Sequence, residues 1–143
     1  MENPESANPI RNVSDTALWV AVYRAMESER KDALFHDPFA RRLAGERGQA
    51  IVDAMPRGKE LAWAMIVRTA VMDELILQCI RDGATSVLNL AAGLDTRAYR
   101  LDLPASLHWY HVDFPPMVEY VKDKLTGEKP RCALEYVAAD LRE

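Results

Sequence analysis

An apolar run, Val87 to Ala92, is cut off by Gly93 and followed at once by Leu94 and the polar stretch Asp95-Thr-Arg-Ala-Tyr-Arg100. The run predicts a buried strand over 85–92, the glycine a tight turn, and Asp95 the cap of a short helix near 95–101. Such a junction leaves backbone N–H groups and a polar crevice at the carboxyl end of the strand, where open α/β sheets bind small ligands. A second strand over 107–112 ends in Asp113, twenty residues beyond Gly93. An acidic side chain at about that distance accepts hydrogen bonds from both hydroxyls of a ribose. Gly93 and Asp113 together predict a nucleoside site.

What the turn lacks narrows the choice of nucleoside. A dinucleotide fingerprint needs three spaced glycines, so that the backbone can approach a pyrophosphate closely. The stretch Ala91-Ala92-Gly93-Leu94-Asp95 has one glycine and a carboxylate near the helix start. That carboxylate repels a diphosphate and competes for the N–H groups that would hold it. A ligand with a ribose, no phosphate and a cationic amino group suits the pattern. S-adenosyl-L-methionine meets those conditions, and NAD and ATP do not, so a nicotinamide-binding oxidoreductase is the weaker expectation.

The segment Ala91-Ala-Gly-Leu-Asp-Thr-Arg-Ala-Tyr-Arg-Leu101 resembles the signature of the leucine carboxyl methyltransferase family, which also takes in polyketide O-methyltransferases. Ser14–Trp19, Phe35–Arg41, Val67-Arg68 and Ala138–Arg142 agree in order and spacing. The resemblance runs from about Arg11 to the last residue. It departs at Ala91, where the family usually has glycine, and the chain ends where the family's proteins are only half complete. The resemblance implies an α/β, Rossmann-like class I methyltransferase fold with strand order 3-2-1-4-5-7-6. This chain would hold strands 1–3 of that parallel sheet behind a helical N-terminal extension. It also implies S-adenosyl-L-methionine as cofactor, with Arg68 clamping the carboxylate of its methionine moiety. Ala92, Gly93, Asp95 and Arg97 would line the cofactor, Asp113 would take the ribose, and Asp140 and Leu141 would flank the adenine. Thr16, Trp19 and Tyr23 would form a lid over the substrate.

Residues 1 to 12 are rich in Pro and Asn and predict a loose segment that a ligand or partner orders. Ser14 or Asp15 is expected to cap a helix running to Ser28, and Asp37-Pro38 to start a short one closed by Gly45. A long helix is expected from Lys59 to Asp82, stopped by Gly83. Another follows over 115–125, and Leu134 to Ala138 reads as a third strand. Strands alternating with helices imply a parallel sheet. The chain then divides into a helical extension over 1–58 and a partial cofactor-binding domain over 59–143. Without a fourth strand the first strand exposes an apolar edge. That predicts a fragment or truncated product that self-associates or joins a completing chain.

Several residues carry two readings. Leu61, Met65, Arg68, Met72, Leu75 and Cys79 share a helical stripe, where a cation is costly unless paired. Arg68 then either forms an ion pair with Asp95 or Asp15, or grips a carboxylate in bidentate fashion. Asp113 could simply cap the helix before Pro115, and Arg97 could simply pair with Asp95. Trp19 and Tyr23 at i, i+4 could simply anchor a helix, and His111 reads as structural. The three histidines show no ligand spacing with Cys79 and Cys132, so no metal site is expected. Both thiols read as buried and free in a reducing compartment, the cytoplasm. A net charge of −4 with scattered basic residues shows no nucleic-acid footprint. No apolar run approaches the ~18 residues of a membrane span, and the acidic start is wrong for a secretory signal.

No nucleophile–base pair is visible. Methyl transfer to a carboxylate needs none, because that acceptor is already anionic at neutral pH, whereas a hydroxyl acceptor requires a base. The expected function is O-methylation of a small-molecule or carboxylate acceptor. A non-catalytic binding module is the alternative.

Overall fold

A computed structural model describes residues 12–143, so the loose segment expected at the start lies, up to residue 11, outside them. The first helix, α1 (Val13–Ser28), starts earlier than Ser14 or Asp15 would place it. Asn12 is its cap, and its side chain accepts the Asp15 N–H at 2.9 Å. The next helix, α2 (Ala40–Ala54), is interrupted at Gly45 (φ 58°, ψ −171°) but does not end there. Burial of Ile51 and Val52 overrides the stop that a lone glycine signals. Where α2 crosses α1 the backbones nearly touch. A Cβ on Gly48 would stand 3.0 Å from the Leu18 carbonyl oxygen and 3.1 Å from Val22 Cγ2, so only glycine fits without movement.

The long helix α3 (Gly58–Arg81) corrects a second expectation. Its inward face carries Ala62, Ile66, Thr69 and Asp73, whereas Leu61, Arg68, Met72, Leu75 and Cys79 are exposed. The stripe holding Arg68 is therefore not the core stripe, and Cys79 is not a buried thiol. Polar side chains occupy the inner face because they are satisfied there. Thr69 donates to the Met65 carbonyl at 2.9 Å, and Asp73 accepts from two arginines. A buried polar group without partners would cost about 1–3 kcal/mol.

The strands β1 (Ser86–Leu90), β2 (His108–Asp113) and β3 (Ala133–Ala138) form a parallel sheet in spatial order β1-β2-β3. That is the 3-2-1 half of the expected strand order, and the helices α4 (Arg97–Arg100) and α5 (Pro115–Lys124) make the crossovers. Val87, Trp109 and Leu134 stand at one register level and pack into the core with α1, α2 and α3. Asn89, His111 and Tyr136 stand at the next level on the same face. The other face is open at β1, where Leu88 and Leu90 are 66% and 51% exposed. β1 pairs only with β2 among the described residues, and no described strand covers its outer edge. Among the described residues no helix is long and apolar enough to cross a membrane.

Candidate functional site

The turn after β1 is built on the end of β2. Ala92 N–H donates to the Val112 carbonyl at 3.0 Å, and Gly93 N–H donates to Asp113 Oδ2 at 2.6 Å. The His111 ring nitrogen Nε2 lies 3.1 Å from the Gly93 carbonyl oxygen. Gly93 turns at φ 55°, which glycine adopts freely. Ala91 turns at φ 49°, the one non-glycine residue with positive φ among those described. Its Cβ costs about 1–2 kcal/mol in that region, which is the physical content of the alanine that departs from the family pattern.

A cavity of about 500 Å³ opens over this turn, at the carboxyl ends of β1 and β2. Its walls include Thr16, Ala17 and Val20 from α1, Arg68 and Met72 from α3, Asp113 at the end of β2 and Phe114 just after it. The floor is the turn itself, with Ala92, Gly93, Asp95 and Arg97. That volume suits a small organic ligand. The N–H groups of Ala92 and Gly93 are already donated to protein acceptors, so a pyrophosphate would have to displace them. Asp113 is different. Its Oδ2 holds Gly93 N–H and its Oδ1 holds Phe114 N–H at 2.7 Å, yet each carboxylate oxygen keeps a further acceptor position.

The cations around the cavity divide sharply. Arg24 donates from Nε to Asp37 at 2.9 Å and from Nη2 to the Leu94 carbonyl at 2.5 Å. Arg97 pairs with Asp73 and with Asp95, each at 2.7 Å, and Arg100 pairs with Asp73 at 2.7 Å. Arg68 is exposed on the cavity wall, and no described residue forms a hydrogen bond or ion pair with it. The ion pairs weighed for it are taken. Asp95 accepts from Arg97 and, at 3.0 Å, from Asn89, and Asp15 is held by Arg47 at 2.6 Å. Burial pushes the Asp95 carboxyl up, but the Arg97 charge and N–H together with Arg24 outweigh it and hold it below the usual carboxylate range. Asp95 is thus a carboxylate whose charge the protein itself balances. His111 is lowered as well, but here burial is the cause that wins, against the opposing pull of Asp95, the Gly93 carbonyl and Asp113.

Other expected residues lie elsewhere. Tyr23 is fully buried and donates to the Gly58 carbonyl, with Trp19 edge-on to it at 5.6 Å. Neither lines the cavity, and Tyr23 ties α1 to the start of α3. Thr16 does reach the cavity. Asp140 follows β3, which the Ala139 N–H ties to the Asp113 carbonyl at 2.9 Å. Hydrogen bonds from the Arg142 guanidinium, at 2.9 and 2.5 Å, lower the Asp140 carboxyl to about 2. Leu141 is half-exposed, and neither residue lines the cavity.

Sequence reasoning passed over Asn89, Asp73 and the Arg24–Asp37 pair, and it read His111 as structural. A signal existed for His111, which sits two residues before Asp113 and so on the same face of β2. Asp37 lay inside a segment already matched to the family, and its Oδ2 also accepts the Thr96 hydroxyl at 2.7 Å. Among the described residues no cluster of His, Cys, Asp and Glu is arranged to hold a metal.

The Leucine carboxyl methyltransferase family model matches residues 17–143. A protein of Mycobacteroides abscessus is 35% identical over 97% of this chain and 48% of its own length. Another from Streptomyces coelicolor is 37% identical over 90% of this chain and 49% of its own, and one from Frankia alni is 34% identical over 90% and 49%. Each of the three carries the printed name "Putative S-adenosyl-L-methionine-dependent methyltransferase". The chain spans about half the length of these curated relatives. With a match over nearly all its described residues, the chain belongs to the leucine carboxyl methyltransferase family.

Proposed function

We propose that this chain forms the S-adenosyl-L-methionine-binding half of an O-methyltransferase. The observation that carries the reading is Arg68, the cavity cation left without a protein partner among the described residues. A guanidinium in that state recognises a carboxylate in bidentate fashion, as the methionine end of the cofactor requires. At the other end, the remaining acceptor positions of Asp113 match the two ribose hydroxyls. Asp140 and Leu141 take the adenine on the family resemblance, and Asp95 with Arg97 forms the floor beneath the amino-acid end. When bound, the cofactor supplies a methyl group on a sulfonium, transferred in line to the acceptor as the carbon–sulfur bond breaks. The chain's own residues hold and orient it, and the α1 wall of Thr16, Ala17 and Val20 excludes water. The acceptor is a small molecule or a carboxylate. Residues 1–58 serve as extension and lid and 59–143 as cofactor unit, in a cytoplasmic setting compatible with the free thiols of Cys79 and Cys132.

Calorimetric titration with S-adenosylhomocysteine, with NAD as control, tests this reading. Saturable binding of the former alone is expected, and a folded chain that prefers NAD would overturn it. Arg68→Ala is expected to weaken S-adenosylhomocysteine at least about tenfold. It should leave the affinity for 5′-methylthioadenosine, which lacks the amino-acid end, unchanged. Equal loss for both ligands would remove Arg68 from the carboxylate.

The open side of β1 supports a partner reading alongside. Leu88 and Leu90 and the outer edge of β1 would take a further strand from a second copy or a completing chain. The mass of the isolated chain measured by light scattering should then rise with concentration. The double substitution Leu88→Lys/Leu90→Lys should abolish the rise, and a wild-type mass that stays monomeric throughout would rule out the second copy and leave the completing chain.

A further inference from the structure

The last three residues of β2 all act on the turn that follows β1. Val112 takes the Ala92 N–H through its carbonyl, Asp113 takes the Gly93 N–H, and His111 faces the Gly93 carbonyl oxygen at 3.1 Å. His111 is also the centre of a polar row across the sheet. Asn89, His111 and Tyr136 share one register level, and each engages the segment 93–99. Asn89 donates to Asp95 at 3.0 Å, and the Tyr136 hydroxyl meets the Tyr99 hydroxyl at 2.7 Å. The His111 ring is buried and packs against the Tyr136 ring at 5.0 Å. A carbonyl oxygen only accepts, so the nitrogen facing it carries hydrogen, and the neutral ring is the Nε2–H tautomer.

We propose that His111 is a positioning residue of the ligand site, fixing the Gly93 carbonyl and with it the Gly93–Leu94 peptide plane beneath the cavity. Gly93 has no Cβ to restrict it at φ 55°. Its N–H is held by Asp113 and its carbonyl by His111, so the residue is clamped from both sides by one strand. The clamp keeps Asp113 engaged with the turn and its remaining acceptor positions turned to the cavity. The ligand-binding part of this inference rests on the nucleoside reading above, and the clamp itself does not.

His111→Leu and His111→Gln, compared with the wild type, provide the test. Glutamine presents an amide N–H close to the place of Nε2, and leucine presents none. Nitrogen-15 spectra of the free wild-type chain should show the neutral His111 ring with its hydrogen on Nε2. Solvent exchange of the Gly93 amide should rise about tenfold in the leucine variant and stay within about twofold of wild type in the glutamine variant. The dissociation constant for S-adenosylhomocysteine should follow the same pattern, about tenfold weaker for leucine and restored by glutamine. A wild-type ring with hydrogen on Nδ1 alone overturns the proposal, and so does a glutamine variant that falls as far as leucine. Should the leucine variant fail to fold, the tautomer and the glutamine variant decide. A wild type that binds no S-adenosylhomocysteine defeats the cofactor reading, while tautomer and Gly93 exchange still judge His111.

Discussion

Asp73→Ala is expected to destabilise the chain by about 3–5 kcal/mol. Asp73 stands on the inner face of α3 and is the shared anion of two arginines. Its Oδ1 accepts from Arg97 Nε at 2.7 Å and from Arg100 Nη2 at 2.8 Å, and its Oδ2 accepts from Arg100 Nη1 at 2.7 Å. The Arg100 side chain is 4% exposed, so removing its anion leaves a buried, uncompensated charge. Arg100 also lies 5.4 Å from the Phe35 ring, which offsets little of that cost. Arg97 keeps Asp95 and suffers less. Because Asp73 ties α3 to the segment that follows Gly93, the loss should appear both as a lower urea midpoint and as weaker ligand binding. Asp73→Asn, which keeps one acceptor oxygen, should fall between wild type and alanine. An alanine variant with the wild-type midpoint would show that this ion cluster contributes nothing net.

Asp113→Ala is expected to act twice. The sequence spacing predicts Asp113 as a ligand contact, and the structure adds that it accepts the Gly93 and Phe114 N–H groups. Truncation leaves both donors without a partner and should cost about 2 kcal/mol of stability. Two hydrogen bonds from ribose hydroxyls to a charged acceptor are lost as well, so affinity for S-adenosylhomocysteine should fall about 100-fold. The two effects separate in one experiment. Melting of the free chain reads the first, and titration well below the melting transition reads the second. Unchanged affinity in a folded variant would take Asp113 out of the site and leave it as a brace of the turn.

Much of the fold could be read from local pattern. The apolar runs ending at Gly93 and Asp113 place β1 and β2 to within a residue or two. Pro115-Pro116 opens α5, and the alternation of strand and helix leads to a parallel sheet, whose observed order is the one the family resemblance implies. These features follow from backbone chemistry that acts over a few residues. The misreadings share a cause. The stripe through Leu61, Met65, Arg68, Met72, Leu75 and Cys79 is a valid helical face, but a helix with two apolar faces does not announce which one meets the core. Gly45 is a valid stop signal, yet burial of Ile51 and Val52 carries α2 past it. Tyr23 and Trp19 sit on α1 beside residues that do reach the cavity, and only the angle at which α1 packs separates them.

By itself the sequence determined the strand–glycine–acid frame, its bias against a diphosphate and the family resemblance, because spacing and turn chemistry are local. The tertiary structure decided which charges are spent and which remain. Asp73, Asp95 and Asp37 come from distant parts of the chain, yet they engage Arg24, Arg97 and Arg100 and leave Arg68 without a partner among the described residues at the cavity. It also brought His111 against the Gly93 carbonyl, eighteen residues away in sequence. Pairing of that kind depends on strand register and helix packing, which no local run of residues encodes.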